Sequence, residues 1–172
     1  MSSRFETLFA GYGGMIARIA ASYEADRHKR DDLVQDIALA LWRSRDRIEQ
    51  AENEKAYVAR IAQNVAITHV ARAVKAPKTT EPSSEIKDDR PTIDHQLAEE
   101  QQRQQLLEAV RSLPLSLRSV VTMALEGLSH RDIGEALNLT ENNVGVRFAR
   151  AKAHLKKVLA SPTGNAAEAS ET

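Results

Sequence analysis

The stretch from Ser129 to Phe148, SHRDIGEALNLTENNVGVRF, decides the fold. Ser129 followed three residues later by Asp132 forms an N-terminal capping pair, and Ile133 and Leu137 make the apolar stripe of a short helix behind it. Asn138 suits the left-handed residue that ends such a helix, because Asn tolerates that conformation better than other residues with a Cβ. Leu139 plugs the angle, and Thr140 caps a second helix that buries Val144, Phe148, Ala151 and Leu155 at helical spacing. Helix, tight turn, helix is the pattern. Glu141, Asn142, Asn143, Arg147 and Arg150 are left facing outward. A helix of this kind enters the major groove with its first turns, where Asn bonds adenine bidentately and Arg bonds guanine or phosphate. On pattern alone, a helical hairpin with a solvated basic face remains the competing reading.

Charge favours the nucleic-acid reading locally and not globally. The chain of 172 residues carries 24 Lys plus Arg against 24 Asp plus Glu, so it is no uniformly basic coat. The segment 145–157 nevertheless holds Arg147, Arg150, Lys152, Lys156, Lys157 and His154 with no acid. An anionic partner would land there.

Working back towards the N-terminus, helices are expected over about 95–112, with Leu106, Leu107, Val110 and Leu113 apolar, and over 116–126, with Val120, Val121, Ala124 and Leu125, ended by Gly127. The run 76–94, APKTTEPSSEIKDDRPTID, is rich in Pro, Ser, Thr and acids, and reads as a flexible linker. Before it, Phe5, Leu8, Phe9, Tyr12, Ile16, Ile19 and Tyr23 mark a first helix, with a kink or break expected at Gly11, Gly13 and Gly14. A second helix is expected to start at Asp31 or Asp32 and to carry Leu33, Val34, Ile37, Ala38, Leu41 and Trp42 inward. Residues 44–53 read as a loop with short helical turns. A third helix over 55–75 turns Tyr57, Val58, Ile61, Ala62 and Val65 inward, while Arg60, Gln63, Asn64, Ile67 and Ala71 share another face. The fold class is therefore all-α: two small helical domains, 1–75 and 95–160, joined by the linker 76–94 and followed by a disordered tail, 161–172.

Several functions have no support. The chain has no Cys, which removes disulfide frameworks, thiolate zinc sites and thiol nucleophiles. No apolar run approaches the roughly 18 residues of a membrane helix, and MSSRFETLFA is not a secretory leader, so membrane insertion is not expected and a cytoplasmic location is. Asp31, Asp32 and Asp36 lack a coordinating turn and read as a cap and a protein-facing surface, the five His lack ligand spacing, and GYGG lacks the Lys of a phosphate loop. No catalytic constellation, metal or cofactor is implied, and the protein is not expected to be an enzyme. Trp42 and Tyr57 are expected in the core.

Three segments in order carry a family resemblance: DDLVQDIALALWR (31–43), AYVARIAQNVAITHVAR (56–72) and LPLSLRSVVTMALEGLSHRDIGEALNLTENNVGVRFARAKAHLKK (113–157). Together they resemble the extracytoplasmic-function (ECF) sigma factors, which direct RNA polymerase to promoters with two helical domains. The first resembles the core-polymerase-binding helix of region two, the second the segment that reads and opens the minus-ten element, and the third the minus-thirty-five-binding region four. The resemblance implies that Asp32, Gln35, Asp36 and Leu39 meet the polymerase clamp, an acidic face apt for a basic partner. It implies that Arg60 and Asn64 contact the minus-ten region, with the segment after Trp42 near the separated strand. It assigns Glu141, Asn142, Asn143, Arg147 and Arg150 to the minus-thirty-five element, with Lys152 and Lys156 beside phosphates. Departures are the thin basic run THVARAVK, Asn138 at an often-Gly turn, Gly134 at an often-Ala position, Gly145 and Val146 in place of a polar pair, and Tyr57 at an often-Trp position.

The implied partners are core RNA polymerase, promoter DNA and, as a regulator, an anti-sigma factor. The alternative function is a sigma-like decoy that sequesters an anti-sigma factor. An ordinary dimeric repressor leaves the first 75 residues unexplained.

Overall fold

The computed structural model describes residues 2–75 and 94–160, and its regular structure there is all helical. The elements are α1 (Ser2–Tyr23), α2 (Arg27–Arg43), α3 (Arg45–Gln50), α4 (Glu54–Lys75), α5 (Asp94–Arg111), α6 (Leu115–Leu125), α7 (His130–Leu137) and α8 (Glu141–Ala160). The expected linker lies outside the described residues apart from Asp94, which opens α5, and the expected tail lies outside them entirely.

α1 runs unbroken through Gly11, Gly13 and Gly14, where a kink or break was expected. Three helical glycines cost about 1 kcal/mol each. Met15, Ile16 and Ile19, all essentially inaccessible, return about 1.5–3 kcal/mol each by burial, so packing outweighs propensity.

α2 starts earlier than expected. Asp26, in extended conformation, accepts from the backbone N–H groups of His28 (3.0 Å) and Lys29 (3.1 Å). The cap is thus five residues upstream of Asp31, and Asp31 and Asp32 sit exposed inside the helix. The Lys29 N–H first, then that of His28, holds the Asp26 carboxyl below its usual range. The polar run 44–53 is mostly the helix α3, pinned by the single buried Ile48. One anchor per six residues leaves no periodicity to read. Asn53 then caps α4 through Oδ1, which accepts from the Ala56 N–H at 3.1 Å.

The helix-turn-helix closes as its residues dictate. Ser129 Oγ accepts from the Asp132 N–H (3.1 Å), Asn138 takes φ 58° and ψ 47°, and Thr140 Oγ1 accepts from the Asn143 N–H (3.1 Å). Val144 and Ala151 are fully buried, and Phe148 and Leu155 half-buried beside them.

Ile16, Ile19, Leu33, Ile37, Leu41 and Val58 form the core of the first four helices. That core continues without a gap into Val120, Met123, Leu128, Ile133 and Val144 of the last helices. A smaller cluster of Val110, Leu113, Val121 and Ala151 ties α5, α6 and α8 together. Gln63, expected on the outer face of α4, is fully buried where the two halves meet. Tyr23 Oη donates to its Oε1 (2.6 Å), and its Nε2 donates to Thr122 Oγ1 on α6 (2.5 Å).

Candidate nucleic-acid and partner-binding surfaces

On α8 the first turn presents Glu141, Asn142 and Asn143 to solvent, with Val146, Arg150, Lys152 and Lys156 exposed beyond it. Arg147 is half-buried, and its Nε donates to Asn143 Oδ1, one turn earlier, at 3.2 Å. Expected simply outward, Arg147 therefore orients the amide of Asn143 and shares its guanidinium between that task and the surface. Lys152 lies with its ammonium 5.7 Å from the centre of the Phe148 ring. His130 meets the same ring edge-on at 5.3 Å, fixing α7 against α8. The helix N-terminus, two amides and the cations downstream form one face able to approach an anionic groove.

Arg60 and Asn64 lie exposed on α4, one turn apart on the same face. The backbone carbonyl of Asn64 accepts from Thr68 Oγ1 (2.9 Å), and its side chain is exposed.

On α2, burial of Leu33, Ile37 and Leu41 turns Asp32, Gln35, Asp36 and Leu39 outward together. Leu39 is 48 % exposed. An isobutyl group held in water between two carboxylates and an amide has the composition of a protein-docking face, apolar at the centre and polar at the edge. At the end of the helix Trp42 is 38 % exposed, whereas the apolar stripe placed it in the core. It packs edge-on against Phe5 (5.0 Å), with the Arg45 guanidinium 4.1 Å over its ring. The ring is thus flanked by one aromatic and one cation and remains partly open to solvent. Tyr57 is half-buried rather than in the core. Next to α3, a groove of about 180 Å³ is lined by Phe5, Leu8 and Ile48 and by the charged Arg4, Arg45, Asp46, Glu49 and Glu54, with Arg4 paired to Glu49.

Three surfaces therefore lie on three helices, α2, α4 and α8, and none is buried by the contact between the two halves. Among the described residues there is no group of three or more His, Asp or Glu able to hold a metal ion, and no helix long and apolar enough to cross a membrane.

A helix-turn-helix joined to a second helical unit that displays its own polar faces defines a two-part, all-helical DNA-binding protein. Family comparison makes this specific: residues 8–76 match the sigma-70 region 2 family and residues 103–155 the sigma-70 region 4 family. The chain is 24 % identical over 163 residues to the RNA polymerase sigma factor NccH of Alcaligenes xylosoxydans xylosoxydans, covering 91 % of this chain and 87 % of that one. Its fold is similar to that of CnrH, solved in complex with the cytosolic domain of CnrY, with TM-score 0.69 and 22 % identity over 95 % of this chain and 92 % of the other. It is similar too to the sigma factor RpoE, solved with the anti-sigma factor NepR from Bartonella quintana, with TM-score 0.69 and 20 % identity over 92 % and 98 % of the chains. The chain belongs to the sigma-70 family, in its extracytoplasmic-function group, which regulates transcription.

Sequence reasoning missed the junction between the halves: Tyr23, Gln63, Thr122, Arg18, Lys55 and Glu126. One signal was available. Gln63 stands among Ala59, Ala62 and Ala66, and a small-residue face of that kind marks close approach of another element.

Proposed function

We propose that this protein binds core RNA polymerase through the exposed α2 face and directs it to promoters, reading the minus-ten element with α4 and the minus-thirty-five element with α8. The observation that carries this is the simultaneous exposure of three faces on one chain: Asp32, Gln35, Asp36 and Leu39; Arg60 and Asn64; and Asn142, Asn143, Arg150, Lys152 and Lys156. A decoy for an anti-sigma factor has no need of the second and third. Region 2 is assigned to 1–75 and region 4 to 95–160, and the catalysis of RNA synthesis belongs to the polymerase.

Each face suits its partner chemically. The α8 cations neutralise phosphates and set the register, while the Asn amides discriminate bases. Location in the cytoplasm, with the polymerase, follows from this role, and an anti-sigma factor is the regulatory partner. The test is run-off transcription with purified core enzyme: specific initiation at a promoter that core alone does not use supports the reading. Absence of core binding, together with tight binding to an anti-sigma factor, establishes the decoy instead.

A further inference from the structure

The departure at Gly145 and Val146 leaves an apolar side chain at the centre of the α8 face. Val146 lies about 200° round the helix axis from Val144 at 3.6 residues per turn. Val144 is fully buried, so Val146 points away from the core, and it is 42 % exposed. Within residues 141–150 the other exposed positions are Glu141, Asn142, Asn143, Ala149 and Arg150, which makes Val146 the one bulky apolar group on that surface. Asn142, Val146 and Arg150, each four residues apart, form a single row along it: amide, isopropyl group, guanidinium.

A solitary exposed valine is ordinary on a protein surface and by itself carries no meaning. Its surroundings give it one. The row lies in the first turns of the second helix of a helix-turn-helix, the part that reaches base edges. The neighbours speak to polar edges: Arg147 Nε occupies Asn143 Oδ1, so that amide offers its N–H groups, and Asn142 and Arg150 stand exposed on either side of the valine. Val146 can neither donate nor accept. The major groove displays donors and acceptors and one apolar feature, the 5-methyl group of thymine. Opposite a polar edge the isopropyl group excludes water and offers no bond in return. Opposite a thymine methyl it loses no bond and buries apolar surface on both sides. β-Branching adds precision, because a valine in a helix holds essentially one χ1 rotamer and its methyl groups are positioned before DNA arrives. Ala149, three residues on and exposed beside it, is small enough to let the backbone approach the bases.

We propose that Val146 is a specificity-determining residue that reads a thymine in the minus-thirty-five element through its 5-methyl group, next to the base read by Asn142. Four residues separate the two side chains, about 6 Å along the axis, so the thymine lies within about two base-pair steps of that base. The assignment rests on the role of α8 in the function proposed above and names what that face selects.

The test uses promoter-length duplexes of random sequence, selected with the full-length chain bound to core polymerase. Each thymine of the enriched upstream element is then replaced singly by deoxyuridine, which removes only the methyl group. At one position the wild-type complex is expected to bind the deoxyuridine duplex about fourfold more weakly, the worth of one buried methyl group. Val146→Ala is expected to bind the two duplexes alike at that position and to keep its response to substitutions elsewhere in the element. Its thermal midpoint is expected to be no lower than that of wild type, since alanine suits an exposed helix position better than valine, and this separates loss of reading from loss of fold. An enriched element indifferent to every thymine methyl overturns the assignment, as does a thymine–deoxyuridine difference that survives Val146→Ala. Weaker binding to core polymerase without DNA, in place of lost methyl discrimination, makes Val146 a protein contact and overturns it too. In these three cases the chain still binds core and selects DNA, so the proposed function stands. Enrichment of no sequence at all overturns that function, and the reading of Val146 with it.

Discussion

A methyl group added to Gly134 would lie 2.6 Å from the carbonyl oxygen of Leu139. The same turn is closed by the Leu139 N–H donating to the Gly134 carbonyl at 2.8 Å, so the chain folds back directly over this glycine. The backbone of Leu139 cannot yield as a flexible side chain would, and Asn138 is already committed to the left-handed region.

Gly134→Ala is therefore expected to destabilise the helix-turn-helix, although alanine favours a helix interior by about 1 kcal/mol. Gly145→Ala on α8 is the internal control. Its methyl meets only His130 Nδ1 at 3.8 Å, an ordinary contact, so the helix preference prevails and the unfolding midpoint is expected to rise. Gly11→Ala, with nothing within 4 Å, is expected to behave like Gly145→Ala. Thermal unfolding of the three variants checks the ordering; a Gly134→Ala protein as stable as the other two contradicts the close approach.

Arg150 is exposed, whereas Arg147 is engaged with Asn143. Arg150→Ala is expected to weaken binding to minus-thirty-five DNA uniformly across sequences and to lower the salt dependence by about one counterion. Arg147→Ala is expected also to relax sequence preference, because it releases the amide of Asn143. Binding isotherms at several salt concentrations on cognate and scrambled duplexes separate the two. Identical behaviour of the variants would remove the orienting role of Arg147.

The α2 face offers a test that spares the core. Asp32→Lys with Asp36→Lys reverses both carboxylates without touching Leu33, Ile37 or Leu41, so the thermal midpoint is expected to change little. Affinity for core polymerase is expected to fall at least about tenfold through like-charge juxtaposition with a basic partner. Leu39→Ala is expected to weaken binding at any salt concentration, since the apolar contact is not screened. Core affinity unchanged in both proteins would displace the polymerase contact from α2.

Apart from α3, the helices, their order and the turn at Asn138 were legible because each rests on local chemistry: a capping hydroxyl, an apolar stripe, an Asn at the left-handed position. What failed was non-local. The start of α2 was misplaced because three acidic residues compete for the cap, and Asp26 prevails through its extended backbone and two N–H groups rather than its identity. Trp42 fell on an inward stripe, yet it lies in the last turn of α2 with 38 % of its surface exposed, and Phe5 and Arg45 complete its environment from other helices. Gln63 was unreadable as a buried residue because the hydroxyls that satisfy it lie 40 residues before it and 59 after it. The three candidate surfaces were legible as exposed positions because exposure is what remains when periodic burial is assigned.

The buried Tyr23 hydroxyl makes the junction sensitive to alkali. Burial, the dominant cause, pushes the phenol well above its usual range, against the opposing pull of the Arg118 guanidinium over its ring and the Thr122 hydroxyl. A group whose pKa is raised by folding contributes stability that is complete below its unfolded value, about 10 for a phenol, and is lost as pH rises from there towards the folded value. Ionisation of Tyr23 is therefore expected to leave the stability of the wild-type protein independent of pH near neutrality and to make it decline above about pH 10. Tyr12, raised by burial and then by its bond to Glu54, adds to the same decline and is common to any Tyr23 variant. Tyr23→Phe is expected to lose about 1–3 kcal/mol at neutral pH by leaving Gln63 Oε1 buried without a donor. Because phenylalanine cannot ionise, the gap between variant and wild type is expected to narrow as pH climbs through the phenol range. Urea unfolding of both proteins between pH 7 and 11 measures that gap directly, and a gap of constant size over the whole range would show that Tyr23 ionises without breaking the junction.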